Sequence, residues 1–189
     1  MAKLIFTISG LTPLLTHNPI SMVPTPGGKV GKTKAIPTPE EEAERSTYRN
    51  EQGDFVFPVL GPRNALLVAS KKYKVKGRRS SFFEDIAHIQ PAHEFAVIYN
   101  GDGEPADKYE IDTRRAVIQR NGVLRSRAKF PLPWSMTFEL LYDEQLVSDP
   151  EIVRTILQDA GKRIGIGDYR PARWGWFGTF EVVEMEVEA

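Results

Sequence analysis

The residues best suited to chemistry cluster near the C-terminus, in Gly165-Ile166-Gly167-Asp168-Tyr169-Arg170-Pro171-Ala172-Arg173-Trp174-Gly175-Trp176-Phe177-Gly178. Glycines such as Gly165 and Gly167 let a backbone approach a phosphate closely, and successive free N–H groups form an anion nest. Tyr169, Trp174 and Trp176 offer flat faces on which bases can stack, and Arg170 and Arg173 offer forked donors. The alternative is that the tryptophans plug the core and the glycines make tight turns. No Gly-Lys-Ser/Thr follows, so ATP binding has no support. The segment also follows a helical pattern and precedes a strand, the reverse of the dinucleotide-binding order.

Two further windows are basic and free of acids. Residues 61–80 hold Arg63, Lys71, Lys72, Lys74, Lys76, Arg78 and Arg79; residues 113–129 hold Arg114, Arg115, Arg120, Arg125, Arg127 and Lys129. In the second window Val123–Phe130 reads as a strand. Val123, Arg125, Arg127 and Lys129 then share one face, with the cations about 7 Å apart. Leu124, Ala128 and Phe130, with Ser126 among them, form the opposite face, expected to be core. Such a ladder, with Arg115 on the neighbouring strand, suits a row of phosphates; a solvated outer sheet face is the alternative. The Lys71–Arg79 loop, with Gly77 at its tip, suits backbone contact without reading of sequence.

Catalytic constellations are thin. His17, His88 and His93 show no metal-ligand spacing, and no HExxH or GxSxG motif occurs. His17 is conceivable as a general base in a metal-independent ribonuclease, but a structural hydrogen-bonding role is the simpler reading. Asp107, Glu110 and Asp112 could seat a metal or form an acidic rim. The expectation is a protein that is not an enzyme and needs no cofactor or metal.

The chain has 189 residues, 25 basic and 25 acidic side chains and no cysteine. Zero net charge argues against an indiscriminate polycation, and the missing cysteines exclude disulfides and cysteine-ligated zinc. The acids lie elsewhere, in Glu40-Glu41-Glu42, Glu44, Glu181, Glu184, Glu186 and Glu188, so the charge is bipolar. No secretory leader or membrane-spanning run stands out, and a cytoplasmic protein making no membrane contact is expected.

The elements that must position these groups follow from periodicity and punctuation. Lys3–Ile8 alternates as a first strand. A Pro/Gly-rich excursion over 18–47 interrupts regular structure until Thr38-Pro39, which can cap and open a helix. Phe55–Phe57 reads as a strand, followed by a helix with Pro62 just inside its start and Leu66, Leu67, Val68 and Ala69 on its apolar side. A short helix over Ser81–Ile89 comes next, then strands at His93–Tyr99, Tyr109–Gln119, Val123–Phe130 and Ser135–Tyr142. Asn121-Gly122 is a hairpin signal. Asp149-Pro150-Glu151 opens a helix with Ile152, Ile156, Leu157 and Ala160 on one face, and a last strand covers Phe177–Val187. The order predicts one α+β domain over 1–189, an antiparallel sheet with packed helices, for which an RRM/ferredoxin-like split βαβ core is suitable.

Two of these motifs resemble the RAMP superfamily, the RRM-like proteins that form the backbones of CRISPR effector complexes. Phe57-Pro58-Val59-Leu60-Gly61-Pro62-Arg63-Asn64-Ala65-Leu66-Leu67 is similar to that family's strand, turn and small-residue helix. Gly165-Ile166-Gly167 through Gly175-Trp176-Phe177-Gly178 is similar to its C-terminal glycine-rich loop. Asn64 stands where the family usually has glycine, and the chain is short for a backbone subunit. The whole sequence also resembles small proteins found in phage and prophage genomes. The resemblance implies a single strand of DNA or RNA lying across the sheet and the glycine-rich loop, bound without strong sequence preference. It implies homo-oligomers assembled side by side along that strand, with 18–47 reaching a neighbour or the ligand. A protein-interaction module, such as a phage inhibitor or mimic of a host defence subunit, is the other reading.

Overall fold

In a computed structural model of the chain, residues 2–22, 37–77, 79–118 and 121–188 are described. The proline- and glycine-rich centre of the 18–47 excursion, Arg78 and Arg120 therefore lie outside the described residues.

The chain opens with β1 (Ala2–Gly10), which buries Ala2, Leu4, Phe6 and Ile8 on one face as its alternation requires. β2 (Leu14–Leu15) is short and wholly buried. A 3-10 turn at Pro19–Met22 follows, and α1 (Pro39–Arg45) begins on a complete capping box. There Thr38 Oγ1 accepts from the Glu41 N–H at 3.2 Å, and the Thr38 N–H donates to Glu41 Oε2 at 3.0 Å.

β3 (Val56–Pro58) leads into α2 (Leu60–Ser70). This helix starts before Pro62, which sits in the first turn, where its missing N–H costs no helical bond. Four consecutive apolar residues cannot share a helix face, and the structure divides them: Leu66 and Ala69 are buried, whereas Val68 is 46% exposed. The helix expected at Ser81–Ile89 shortens to α3 (Phe83–Ile86). A separate short strand, β4 (Gln90–Pro91), comes next, and the strand expected at His93–Tyr99 shortens to β5 (Phe95–Val97), which pairs with a different partner.

β6 (Glu110–Ile118) and β7 (Asn121–Phe130) form a hairpin. Asn121 and Gly122, expected as the turn, instead pair with Ile118 and Val117 as residues of β7. β8 (Ser135–Tyr142) coincides with the expected strand. α4 (Pro150–Arg163) is capped by Asp149, whose Oδ1 accepts from the Glu151 N–H at 3.0 Å. The last strand, β9 (Phe180–Glu188), starts later than expected because Phe177 and Gly178 hydrogen-bond into the preceding loop and to Pro13.

The main sheet has the order β4-β8-β1-β9 with every pair antiparallel. Since α2 joins β1 towards β4 and α4 joins β8 to β9, the two β-α-β halves interleave as in a ferredoxin-like α+β fold. α2 and α4 pack against each other, and α4 also covers β9. Between helices and sheet lie Leu4, Phe6, Phe138, Leu66, Ile156 and Leu157. Burying each such side chain stabilises by about 1.5–3 kcal/mol. The β2-β7-β6 sheet and the β3-β5 pair are additions to this core.

Candidate nucleic-acid interface

The glycine-rich loop is tied to the body of the protein by its own backbone. The Asp168 N–H donates to the Leu15 carbonyl at 2.9 Å, Ile166 N–H to Gly178 at 2.9 Å, Gly178 N–H to Pro13 at 2.8 Å and Phe177 N–H to Tyr169 at 3.1 Å. The Tyr169 N–H is taken by Asp168 Oδ1. The expectation of an anion nest in this loop is therefore corrected: the amides on both sides of Gly167, from Gly165 and Ile166 and from Asp168 and Tyr169, already have partners, so no run of successive free N–H groups remains there. Gly167 has φ +74° and faces the Leu15 carbonyl so closely that a Cβ has no room, and Gly165, with φ +67°, faces Pro171 and Gly178. Both glycines shape the loop; neither presents an open Cα to a phosphate.

The loop carries its aromatics outward. A 3-10 turn at Pro171–Arg173 ends at Trp174 in a left-handed conformation, φ 62°. Trp174 is 100% exposed, and Trp176 is 54% exposed with its ring stacked on Phe177 at 4.2 Å. Neither tryptophan plugs the core; Trp134, 2% exposed, does that work with its indole N–H on the Thr12 carbonyl at 2.8 Å. Arg173 is exposed beside Trp174. Arg170 is half-buried and donates to the Gly167 carbonyl at 2.8 Å; burial lowers its pKa. Tyr169 lies beneath Arg127, at 5.1 Å, and its hydroxyl donates to the Arg115 carbonyl at 3.0 Å.

The β7 ladder is not a free row of cations. Arg125 meets Glu42 of α1 at 2.6 Å, Arg127 meets Asp168 at 2.5 Å, and Lys129 meets Glu110 of β6 at 2.6 Å. Arg114, next to Arg115, pairs with Asp112 at 2.5 Å. Arg127 is 8% exposed, and its Nε and Nη1 are sealed from solvent with no well-aligned acceptor. Its approach to Asp168 is thus a charge contact and not a directed hydrogen bond. The opposite face is also uneven: Ala128 and Phe130 are core, but Leu124 is 73% exposed where the hairpin runs beyond it. Arg115 is exposed, and its guanidinium covers Gly122.

The other basic window keeps its charge in solvent. Lys72, Lys74, Lys76 and Arg79 are exposed, and among the described residues none forms an ion pair. Lys71 lies 4.9 Å from the Phe83 ring. Arg63 belongs to this window only in sequence; it donates to the Ile89 carbonyl at 3.0 Å and to Ala87 at 2.7 Å, holding the turn after α3.

The open face of the main sheet is acidic. Opposite Lys3, Ile5, Thr7 and Ser9 of β1 stand Glu188, Glu186, Glu184 and Glu181 of β9, and Glu139 projects from β8. Lys3 bridges Glu139 at 3.2 Å and Glu188 at 3.4 Å, leaving the row negative overall. A phosphate backbone laid across this face, as the family resemblance implies, would meet repulsion.

Between α2 and the glycine-rich loop lies a cleft of about 370 Å³. From α2 it takes Leu60, Asn64, Ala65 and Val68, and from the loop Ile164, Ile166, Arg170 and Ala172. His17, Tyr48 and Asp168 also line it. Burial, ahead of the opposing charge of Asp168, lowers the His17 pKa, with Arg127 and Arg125 acting in the same direction as burial. The sequence offered His17 as a general base or, more simply, a structural hydrogen-bonder, and gave no indication that it lines a cleft with Asn64. The available signal for the cleft itself was the i, i+4, i+8 row Leu60, Asn64, Val68. Among the described residues no group of three or more His, Asp or Glu side chains could hold a metal; Glu110 and Asp112 are engaged by Lys129 and Arg114.

No protein-family model matches the chain, and no curated protein matches it in sequence. Its fold is similar to that of a chain in the cryo-EM structure of the type III-B Cmr-beta complex bound to cognate target RNA. The TM-score is 0.55 at 8% sequence identity, over 99% of this chain and 60% of that one. The likeness is one of fold, and this chain spans 60% of the other's length. No helix among the described residues is long and apolar enough to cross a membrane.

Proposed function

We propose that this protein binds single-stranded nucleic acid with little regard to sequence and without catalysing a reaction, and that copies line up side by side along the strand in a phage or prophage setting. The observation that carries this reading is Trp174, fully exposed on a loop whose backbone is hydrogen-bonded into the protein. A wholly exposed indole gains nothing from folding, and on a pre-organised loop it is a stacking platform awaiting a flat partner. Arg173 supplies a cation beside it. The Lys71–Arg79 loop, which follows the end of α2, a helix about 16 Å long by its rise, offers solvent-exposed cations for the backbone. The likeness in fold to a chain of an RNA-bound complex supports the same class of ligand.

Fluorescence anisotropy with labelled single-stranded DNA, single-stranded RNA and duplex DNA at two salt concentrations tests it. Single strands are expected to bind best, with affinity falling as salt rises, and Trp174→Ala should weaken binding about tenfold. Absence of binding to all three at low salt would overturn the reading. The acidic β9 edge favours the second reading, a protein-interaction module: there the three nucleic acids stay unbound and a purified basic partner associates through β9.

A further inference from the structure

We infer that the cleft between α2 and the glycine-rich loop is a slot for one unstacked nucleobase, an inference that rests on the strand-binding reading above. Its walls are apolar on both sides, Leu60 and Val68 from the helix and Ile164 and Ala172 from the loop. Polar groups line it too: the Asn64 amide, the His17 imidazole and the Asp168 carboxylate. A base has the same division, with apolar faces and a hydrogen-bonding rim. An alkyl chain would fill the walls but cover Asn64, His17 and Asp168, which are exposed or half-exposed in the free protein, without offering them hydrogen bonds, at a cost in affinity. A bare phosphate would desolvate against the walls, and Arg170, the lining arginine among the described residues, already donates to the Gly167 carbonyl.

Size and place agree with this occupant. The volume, about 370 Å³, is at the small end of the range for ligand clefts and suits a nucleoside-sized group. The Pro171–Arg173 turn puts Ala172 on the cleft wall and Arg173 and Trp174 in solvent. A strand stacked on Trp174 can therefore turn its neighbouring base inward over Ala172. Burial lowers the His17 pKa and so favours the neutral imidazole, which can donate from one nitrogen and accept at the other. Asn64 Oδ1 already accepts from Arg63 Nη1 at 3.2 Å, and the amide N–H groups with the second lone pair of that oxygen are left for a base edge, so the rim tolerates different bases.

The test fills the slot from each wall. Val68→Trp and Ala172→Trp replace exposed side chains, and melting temperatures check that both variants fold. Affinities are measured for a labelled single-stranded oligonucleotide and for an abasic oligonucleotide of equal length. Both variants are expected to lose about tenfold on the normal strand and nothing on the abasic one. Unchanged affinity for the normal strand overturns the slot while leaving the strand-binding reading intact. Equal loss on both oligonucleotides places the backbone in the cleft and also overturns it. No binding of any strand by the unaltered protein removes the strand-binding reading. In a second arm, adenosine and uridine monophosphates are titrated against the His17 ring signals. Mononucleotide binding that Val68→Trp abolishes, with no strand binding, assigns the slot to a free nucleotide. That result upholds a base-recognising cleft and overturns its attachment to a strand.

Discussion

Two stretches of this chain carry cations with no acid between them, and the fold treats them in opposite ways. On β7, each cation of the ladder receives a carboxylate from a different part of the chain: Glu42 from α1, Asp168 from the glycine-rich loop, Glu110 from β6. After α2, Lys72, Lys74, Lys76 and Arg79 remain in solvent. The first group behaves as mortar. Glu42 also accepts from the Ser126 N–H at 2.8 Å, and Ser46 Oγ accepts from the Ala128 N–H at 2.8 Å, so α1 is fastened along the edge of β7. The second group is available to a polyanion. Local charge density is therefore a poor guide to a binding face, because neutralisation comes from residues distant in sequence.

The contrast is broken most directly at Arg127. Replacing it with methionine should destabilise the fold by about 3 kcal/mol, at the low end for a broken buried pair because Asp168 is partly exposed. Chemical denaturation reads this, and the salt slope of strand binding should hardly change. An unaltered midpoint with a lost salt slope would move Arg127 from mortar to ligand contact. The opposite signature is expected from Lys72, Lys74, Lys76 and Arg79 changed together to alanine. Each phosphate contact contributes about −0.7 to the slope of log K against log salt on single strands, so the slope should shrink by roughly 2 to 3 with stability kept within about 0.5 kcal/mol. A slope that stays put would return the Lys71–Arg79 loop to an ordinary solvated surface.

The smallest effect sharpens the boundary between the two regions, at His17. Its folded pKa lies below the usual 6.5, so the unfolded chain takes up a proton first on acidification. Stability should be undiminished by this group above pH 6.5 and should fall as pH drops from there towards the folded pKa. His17→Gln should remove that part of the pH dependence, and a ring titration by NMR should show a midpoint below 6.5. A midpoint above 6.5 would mean that Asp168 and Glu42, rather than burial, Arg127 and Arg125, govern the imidazole.

Much of the fold was legible because it rests on local rules. The capping box at Thr38, the Asp149-Pro150 start of α4, the alternation of β1 and the bounds of β8 are each written within a few residues. Where the chain was misread, a longer-range pairing had overridden local preference. His93–Tyr99 has the composition of one strand along a single partner, but only Phe95–Val97 pairs with β3 while Tyr99 turns to bridge Ser135 at the start of β8. Val68 looked like core by type, yet its helix face opens on the cleft.

For the candidate site the division is sharper. From residue types alone the sequence determined that arginines, glycines and aromatics stand together after α4, and that acids and bases are segregated along the chain. Side-chain chemistry and spacing are properties of the chain itself. Tertiary structure decided that Trp174 is in solvent and Trp134 in the core, that most of the loop amides are already bonded, that β9 lines the open sheet face with glutamates, and that Asn64 and His17 share a cleft. Those facts depend on which distant segments meet: Leu15 against Gly167, Glu42 against Arg125, Asp168 against Arg127. Coulomb energy falls with distance in space and not with separation along the chain, so only the folded chain fixes which cations are neutralised and which remain exposed.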